Sequence, residues 1–520
     1  VTQPDVTVVV AVYNTMPDLT TCLQSLLDQT IGHDRLEIVA VDDGSTDGSG
    51  AELDRFAAAH PDVIKVRHQE NSGGPAVPSN RALELATGRY VFFIGADDHL
   101  GPEALERMVT AADRWGSDVV LGRMVGVNKR YVHQEIFDQT RSDVDLFTSA
   151  LPFALSNTKL FRRELVERHR LRFPEDMAVG SDQPFTIEAC LRAGRISVLA
   201  DYDYYYAVKR LNAGNITYRS DQLARLDCVE RIVRFVTGLI EPGERRDAVL
   251  RRHFAWEVAK LLRSDYLQLD HDTQEQIRGR VGKLVREHLT DRIRGQLNIS
   301  ARVRLGTAAY GRRADLLAIL GQDAKDGLPP TVVKDQHWYA AYPGFGDPES
   351  GVRDEWFELD TAATQWLARL DAVSVRWVTG ADGERGVQVF ARSPRSDLAE
   401  LVGGDLALFV GKVTAVVRPL PSDPMGTTVD ATFRVRDLVA DLGPAGGSRT
   451  VRARVADGRA TPLRGLRPSP VQRVLHRDGG RFHLITVTNN HRGQLAFTVS
   501  PVTLRRVVAR LRRRLPLGGK

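Results

Sequence analysis

Three stretches, VTVVVAVYN at 6–14, LEIVAVDDGSTDGS at 36–49 and YVFFIGADD at 90–98, share one pattern: a β-branched, apolar run that ends abruptly in polar residues. Runs this short read as buried strands. Between the first two lies the helical pattern DLTTCLQSLLDQ (18–29); between the second and third lie AELDRFAAAH (51–60), a further strand VIKVRHQ (63–69) and a helix NRALELAT (80–87). Strands alternating with helices at this spacing predict a parallel sheet with crossover helices.

Open parallel sheets bind ligands beyond the carboxyl ends of their strands. Here the strands lead into Tyr13-Asn14, Asp42-Asp43-Gly44-Ser45, Asn71-Ser72-Gly73-Gly74-Pro75 and Gly95-Ala96-Asp97-Asp98. Each cluster alone also reads as a turn or helix cap, but four on one rim point to a site. Adjacent carboxylates at a strand end offer hard oxygen ligands to Mg²⁺ or Mn²⁺, with ligand phosphates completing the shell. No GxxxxGK[ST] loop is present, and no GxGxxG follows the first strand, which argues against P-loop and dinucleotide-binding folds.

Beyond this region the pattern changes. Between 221 and 325, Leu223, Leu226, Val229, Ile232, Val233 and Val236 recur at helical spacing, and Pro329-Pro330 mark a boundary. Period-two alternation then takes over: Val429, Ala431, Phe433 and Val435 alternate with polar residues, as do Leu495, Phe497 and Val499, and ADG at 381–383 reads as a turn between strands. Short strands with Gly/Pro turns predict a β-sandwich. The expected domains are 1–220, an α/β domain; 221–330, helical; 331–503, β-rich; and 504–520, a basic tail.

Composition agrees with a multidomain globular protein: 520 residues, 42% hydrophobic and 26% charged, with a net charge of +5 that does not call for nucleic acid. Cys22, Cys190 and Cys228 are odd in number and far apart, which argues against a disulfide framework and fits a reducing compartment. No spacing resembles a zinc site, no apolar run reaches the ~20 residues that span a bilayer, and no signal peptide precedes the first strand. The expected location is cytoplasmic. LRRVVARLRRRLPL (504–517) is basic and amphipathic, with Leu504, Val507, Val508 and Leu511 on one face; it fits either peripheral contact with an anionic membrane surface or a solvated terminus. Trp338, Tyr339, Tyr342 and Trp356 fit sugar-stacking platforms or buried packing.

The ordered motifs VTVVVAVYN, DDGSTDGS, ENSGGPAVPSNRALELATGRYVFFIGADD and LRFPEDMAVGSDQPFTIEACLRAGRISVLADYDYYYAVKR resemble glycosyltransferase family 2, across about residues 5–220. The resemblance implies a GT-A fold: a Rossmann-like nucleotide-sugar-binding α/β domain, here followed by the helical region and a C-terminal β-sandwich region. It implies that Ala11 and Tyr13 flank the nucleobase, that Asp43 hydrogen-bonds uracil, that Asn71 and the Gly73-Gly74-Pro75 turn neighbour the base and ribose, and that Asn80 belongs to the donor site. Asp97 and Asp98 match the DXD-type motif that holds Mn²⁺ or Mg²⁺ and the sugar diphosphate, with Asp98 as direct ligand; Arg130 matches a donor-sugar contact, and Lys209 and Arg210 begin a loop over the diphosphate. Asp182 matches the catalytic base; as a helix cap it would serve structure alone. Gly95 stands where many relatives have Asp, Ser79 where many have Arg (with Arg81 nearby as a substitute cation), and Ser181 where Glu is usual.

NTKLFRRELVERHRLRFPED (157–176) and the β-rich end are similar to bacterial wall teichoic acid glycosyltransferases. That similarity implies an inverting, metal-dependent enzyme that moves sugar from a UDP-sugar to a hydroxyl of a polymeric or glycan acceptor, a poly(alditol phosphate) above all, with the β region used for homo-oligomerisation or polymer binding. The alternatives are a polysaccharide-synthesis transferase with another acceptor, a decayed carbohydrate-binding scaffold, and a nucleotidyltransferase, for which YNTMPD is the wrong loop.

Overall fold

The structure, a computed structural model, describes residues 3–177, 179–210, 222–325 and much of 327–502; positions 328, 330, 335–336, 360–368, 381, 394–397, 399–404, 421–425, 443–445, 456–459, 467–471 and 491–492 fall outside the described set, as do 1–2, 178, 211–221, 326 and 503–520. The basic tail and most of the loop after Arg210 therefore lie outside the described residues. Two compact units divide the chain, Val1–Ala324 and Lys325–Lys520, so the helical segment belongs with the α/β domain.

The first unit is built on β1 (Val6–Val12), β2 (Leu36–Asp42), β3 (Ile64–His68), β4 (Tyr90–Gly95), β5 (His99–Leu100), β6 (Val119–Gly122), β7 (Met124–Val127), β8 (Leu160–Arg162), β9 (Ile196–Leu199) and β10 (Tyr205–Val208). Its main sheet runs β3-β2-β1-β4-β8-β6-β9, and a small second sheet runs β5-β10-β7. The first four strands are mutually parallel, in the register Ala11↔Val41 and Ala11↔Gly95, which brings their carboxyl ends to one rim. Strand β8 runs antiparallel to both neighbours.

Helix α1 (Asp18–Leu27) buries Leu19, Cys22, Leu23, Leu26 and Leu27, one face at helical spacing, and α2 (Ser49–Ala59) buries Leu53 and Phe56. Helix α3 (Ala76–Leu85) begins directly after Pro75, four residues before the expected start, because prolines 75 and 78 both fall where a helix's first amides need no acceptor. Helices α4 (Ala104–Trp115), α5 (Arg163–Arg168) and α6 (Asp182–Arg192) follow. Further helices occupy Gln222–Leu239, Glu244–Arg252, His271–His288, Asp291–Gln296, Ile299–Tyr310 and Arg313–Lys325. Leu226, Val229, Ile232, Val233 and Val236 are buried as their spacing predicts.

A polar contact crosses this otherwise apolar sheet. Thr7 is fully buried in β1 and donates its hydroxyl to Glu37 of β2, itself 4% exposed. Glu37 also accepts from Lys65 and from the amide (2.8 Å) and hydroxyl (3.0 Å) of Thr87. A Cβ at Gly88 would lie 2.6 Å from the Thr7 nitrogen, so only glycine allows this close approach.

The second unit contains a hairpin, Thr331–Lys334 with His337–Ala340, and three four-stranded sheets. One sheet orders Asp371–Thr379, Arg385–Ser393, Thr427–Arg434 and Val416–Pro419; between its first two strands the Gly383 amide donates to the Gly380 carbonyl at 2.9 Å, while Ala381 of the turn expected at 381–383 lies outside the described residues. The others centre on Leu406–Val410 and on the pair Arg481–Asn489 and Leu495–Pro501. Val387, Val389, Val429, Ala431, Phe433, Phe497 and Val499 form part of one buried core. Val435 departs from the expected alternation: it opens the helix Val435–Leu442, whose buried Leu438 and Leu442 follow at helical spacing. Tyr342 and Trp356 are buried and Tyr339 stacks on Phe345 at 4.9 Å, the packing reading of that aromatic cluster; the side chain of Trp338 lies outside the described set. No helix among the described residues is long and apolar enough to cross a membrane, and the three cysteines are buried and unpaired.

Glu37→Ala removes the acceptor for four donors and should cost about 2–3 kcal/mol in urea unfolding. Burial alone would raise the Glu37 carboxyl, but its hydrogen bonds from Lys65, Thr7 and Thr87 outweigh that and hold it below its ordinary value. Its contribution should thus be complete above the unfolded value of about 4.3 and fade as pH falls through the lower folded value. Equal acid sensitivity of wild type and Glu37→Ala would contradict this.

Candidate active site

The rim beyond β1, β2 and β4 is built by loops that hold one another. Asn14 adopts the left-handed conformation (φ 50°) that asparagine tolerates, and its side-chain carbonyl accepts from the Thr46 amide at 2.7 Å. The Asn14 amide donates to Ser45 Oγ (3.1 Å), the Thr15 amide to Ser49 Oγ (3.0 Å) and the Met16 amide to Asp47 (2.9 Å). DDGSTDGS is therefore a turn, and it also fixes the loop after β1. Ala11 is partly buried at the strand end, and Tyr13 stands 47% exposed above it.

Asp43 is 2% exposed, and its carboxylate accepts from Gln69, from the Ser72 amide at 3.1 Å and from the Ser72 hydroxyl at 3.0 Å. The side-chain amide of Asn71 donates to the Asp43 carbonyl at 3.0 Å. Asp43 thus holds the 69–74 segment, Gly74 included, against the rim. Asn80 points elsewhere: it is 5% exposed, exchanges hydrogen bonds of 2.9 Å with the Phe173 backbone and donates to Glu175 at 3.0 Å, so its amide ties α3 to the acceptor-side segment. This arrangement corrects the expectation of a donor contact there; Arg81 beside it is exposed.

Asp98, at the end of β4, is 5% exposed. It accepts from the Tyr205 hydroxyl (2.6 Å), from the Val208 amide (2.7 Å) and, more distantly, from Arg130 Nη1 (3.4 Å). Burial, and then the neighbouring Asp97 charge, push its carboxyl up to about 7. Burial also raises Asp97, against the pull of Arg130 and Arg210. The same two carboxylates, after burial itself, raise the Cys22 thiol beneath them. Arg130 donates to the Val208 carbonyl at 2.8 Å, and Arg210, with 10% of its side chain exposed, reaches back to the Asn14 carbonyl at 2.8 Å and to Asp18 at 3.6 Å. Lys209 is exposed beside it.

The donor set fits a divalent cation. Asp97 and Asp98 are two adjacent hard-oxygen groups, and Mg²⁺ typically takes one or two carboxylates and completes its shell with phosphate and water. A Cβ at Gly95 would sit 2.9 Å from Asp98 Oδ2 and 3.1 Å from Asp97 Oδ1, so the glycine leaves open the space beside both carboxylates. No group of three or more metal-ligating side chains occurs among the described residues, so such an ion would depend on its ligand's oxygens.

Asp182 is the first residue of α6; Ser181 occupies the cap position without a side-chain capping bond. The carboxylate takes no hydrogen bond from another side chain among the described residues, and burial raises it above its ordinary value despite Arg252 and Lys159 nearby. Arg252 donates to Gln183 at 2.8 Å and to Glu257 at 2.7 Å. Buried Lys159 donates to the Ala154 carbonyl at 2.6 Å, and burial pushes its ammonium down to about 8. A cleft of about 190 Å³ is lined by Arg130, His133, Phe153, Lys159, Arg252 and Trp256; neither Asp98 nor Asp182 lines it, but Arg130 lies beside Asp98, and the charges of Lys159 and Arg252 act on Asp182. The sequence reading missed Tyr205, Asp18, Lys159, Arg252 and Trp256. Only the YDYYYAV run hinted at Tyr205; the others come from separate helices and loops that no local pattern links.

Comparisons with known proteins bear on the family and the fold. Residues 7–170 match the family model described as Glycosyl transferase family 2. The chain carries a family 2 glycosyltransferase domain. Residues 226–320, after the transferase domain, match the Glycosyl transferase TarS linker domain. Over 205 residues the chain is 40% identical to the poly(ribitol-phosphate) beta-glucosyltransferase of Bacillus spizizenii; the match covers 39% of this chain and 32% of that relative's length. The crystal structure of residues 1–349 of Staphylococcus aureus TarS with UDP-GlcNAc superposes with a TM-score of 0.57 at 28% identity, covering 67% of this chain and 99% of that one. The longer S. aureus TarS structure covers 96% of this chain and 86% of its own, with a TM-score of 0.59 at 22% identity, and supports the order of α/β, helical and β-rich regions.

Tyr205 donates to Asp98 and accepts from the Gly95 amide at 3.1 Å. Tyr205→Phe should therefore lower stability by about 1.5–3 kcal/mol, the range for a buried bond to a charged group. Denaturant unfolding checks this, and an unchanged midpoint would deny the bond any role in holding Asp98.

Proposed function

We propose that the chain is an inverting transferase that moves a hexosyl or N-acetylhexosaminyl group from a UDP-sugar to a hydroxyl of a poly(alditol phosphate) wall polymer. The observation that carries this reading is Asp182: a half-buried carboxylate, raised above its ordinary value and without a side-chain hydrogen bond among the described residues, whose neighbours Lys159 and Arg252 line a cleft that also reaches Arg130 beside Asp98.

Ala11, Tyr13 and the segment held by Asp43, namely Asn71, Gly74 and Pro75, form the nucleoside end. Arg130, Lys209 and Arg210 offset the diphosphate charge. Asp97 and Asp98 would hold Mg²⁺ or Mn²⁺, with Asp98 as the direct ligand. When bound, the cation supplies charge stabilisation for the departing UDP. Asp182 accepts the acceptor hydroxyl's proton as that oxygen attacks the anomeric carbon and the bond to UDP breaks, giving a β-linked product from an α-linked donor. Arg252 and Lys159 give the acceptor side a positive environment suited to a phosphate-bearing chain. The relative named as a poly(ribitol-phosphate) glucosyltransferase and the TarS complex with UDP-GlcNAc support this donor and acceptor class. The reading puts the enzyme in the cytoplasm, with the basic end as a peripheral membrane contact and self-association through the β region.

Asp182→Asn keeps the shape but cannot take the proton. It should lower kcat by about 10²–10⁴-fold with UDP affinity and melting temperature unchanged. Near-normal kcat in a folded variant would remove Asp182 from the mechanism. Because burial raises its carboxyl, the acid limb of kcat/KM should lie above the ordinary aspartate value of about 3.9, activity falling as pH drops through it.

Asp98→Ala, and EDTA on the wild type, should each abolish turnover. Full activity in EDTA would overturn the metal-dependent part of the reading.

A further inference from the structure

The second unit contains a cleft unrelated to the rim described above. It has a volume of about 430 Å³ and lies on the outward face of the sheet formed by Asp371–Thr379, Arg385–Ser393, Thr427–Arg434 and Val416–Pro419. The odd-numbered residues Val387, Val389, Ala391, Val429, Ala431 and Phe433 fill the core at 0% exposure. The alternate residues Gln388, Asp430, Thr432 and Arg434 therefore face outward, where core packing dictates none of them.

This face is both organised and chemically incomplete. Arg376 donates to the Gln388 carbonyl at 2.5 Å, and the Gln388 amide donates to Asp430 Oδ2 at 2.6 Å, which fixes the carboxylate. Asp430 Oδ1 is shielded from solvent and has no donor. Arg418 lies opposite Asp430 in the register, and Arg434 opposite Gly386. Both arginines are exposed, and neither forms an ion pair with another described residue. A Cβ at Gly386 would meet Thr432 and Val378 at 3.1 Å, so the glycine keeps the floor low between the two arginines.

A fixed carboxylate oxygen without a donor calls for a ligand hydroxyl. Two exposed guanidinium groups call for anions, phosphate above all. A neutral glycan would leave the arginines unused, and a bare polyanion would leave Asp430 without its donor. We propose that this face is a second, non-catalytic site for a polyol-phosphate chain, holding phosphates at Arg418 and Arg434 and a polyol hydroxyl at Asp430. The proposal rests on the acceptor class proposed above and adds a second foothold, which raises the effective concentration of an already captured polymer.

The test is calorimetric binding of purified poly(ribitol phosphate) to the full chain without donor sugar, with inorganic polyphosphate as a hydroxyl-free anion. Arg418→Ala/Arg434→Ala should weaken polymer binding about tenfold or more, leave the melting temperature unchanged and leave UDP-sugar turnover with a single ribitol phosphate intact. Asp430→Ala should weaken binding of the polyol chain and spare polyphosphate. Unchanged polymer affinity in the folded double variant overturns the site, and equal loss of both ligands in Asp430→Ala overturns the hydroxyl contact. If the wild type binds polymer through these arginines but transfers no sugar to it, the site stands and the proposed acceptor falls.

Discussion

The transferase domain is organised around a charge that is expensive to bury. Asp98 sits just beyond a strand buried between a parallel neighbour, β1, and an antiparallel one, β8, next to a second carboxylate, with almost no solvent. Removing an ionised carboxylate from water costs several kcal/mol unless hydrogen bonds or opposite charges offset it. Tyr205, Val208 and Arg130 supply part of that offset, and all three belong to the small sheet or the turn beside it. The position of β10 is thus set by what Asp98 needs. In the proposed reading, a cation would add to that offset at the Asp97-Asp98 pair.

The same dependence reaches the other side of the rim. Strand β10 ends at Val208, and two residues on, Arg210 crosses to the Asn14 carbonyl and Asp18. Asn14 is in turn fixed by Ser45 and Thr46. A chain of short polar contacts therefore runs from the second strand's loop through the first to the end of β10, and Asp98 closes it. A change at Tyr205 alters the frame that holds Arg210 as well as one hydrogen bond.

The frame was legible in the sequence because its signals are local and periodic. The run Val6–Val12 appears as a strand with those bounds, and the polar clusters lie at strand ends because a parallel sheet with short crossovers leaves no other place for them. Two kinds of residue were not legible. Asn80 follows the family motif, yet its amide is consumed by Phe173, a partner 93 residues away that no spacing rule announces. Lys159, Arg252 and Trp256 come from a strand edge and the helical segment, and meet only once that segment packs in the same compact unit as the transferase domain. Val435 shows the opposite failure: its alternation with polar neighbours is real, but one more residue starts a helix, since period two and period 3.6 share their first steps.

In the proposed reading, Asp98 and Asp182 are two carboxylates of one fold given different work. Burial raises both above their ordinary values. Asp98 is then supplied with donors from a hydroxyl and an amide, which fix its orientation and favour its charged form. Asp182 receives no side-chain donor among the described residues; the charges of Arg252 and Lys159 and a backbone hydrogen bond offset part of its burial. Under that reading a cation would hold Asp98 in the ionised form that burial disfavours, whereas a base must be able to change its protonation state near the working pH. The hydrogen-bond pattern is what distinguishes the two carboxylates in this structure.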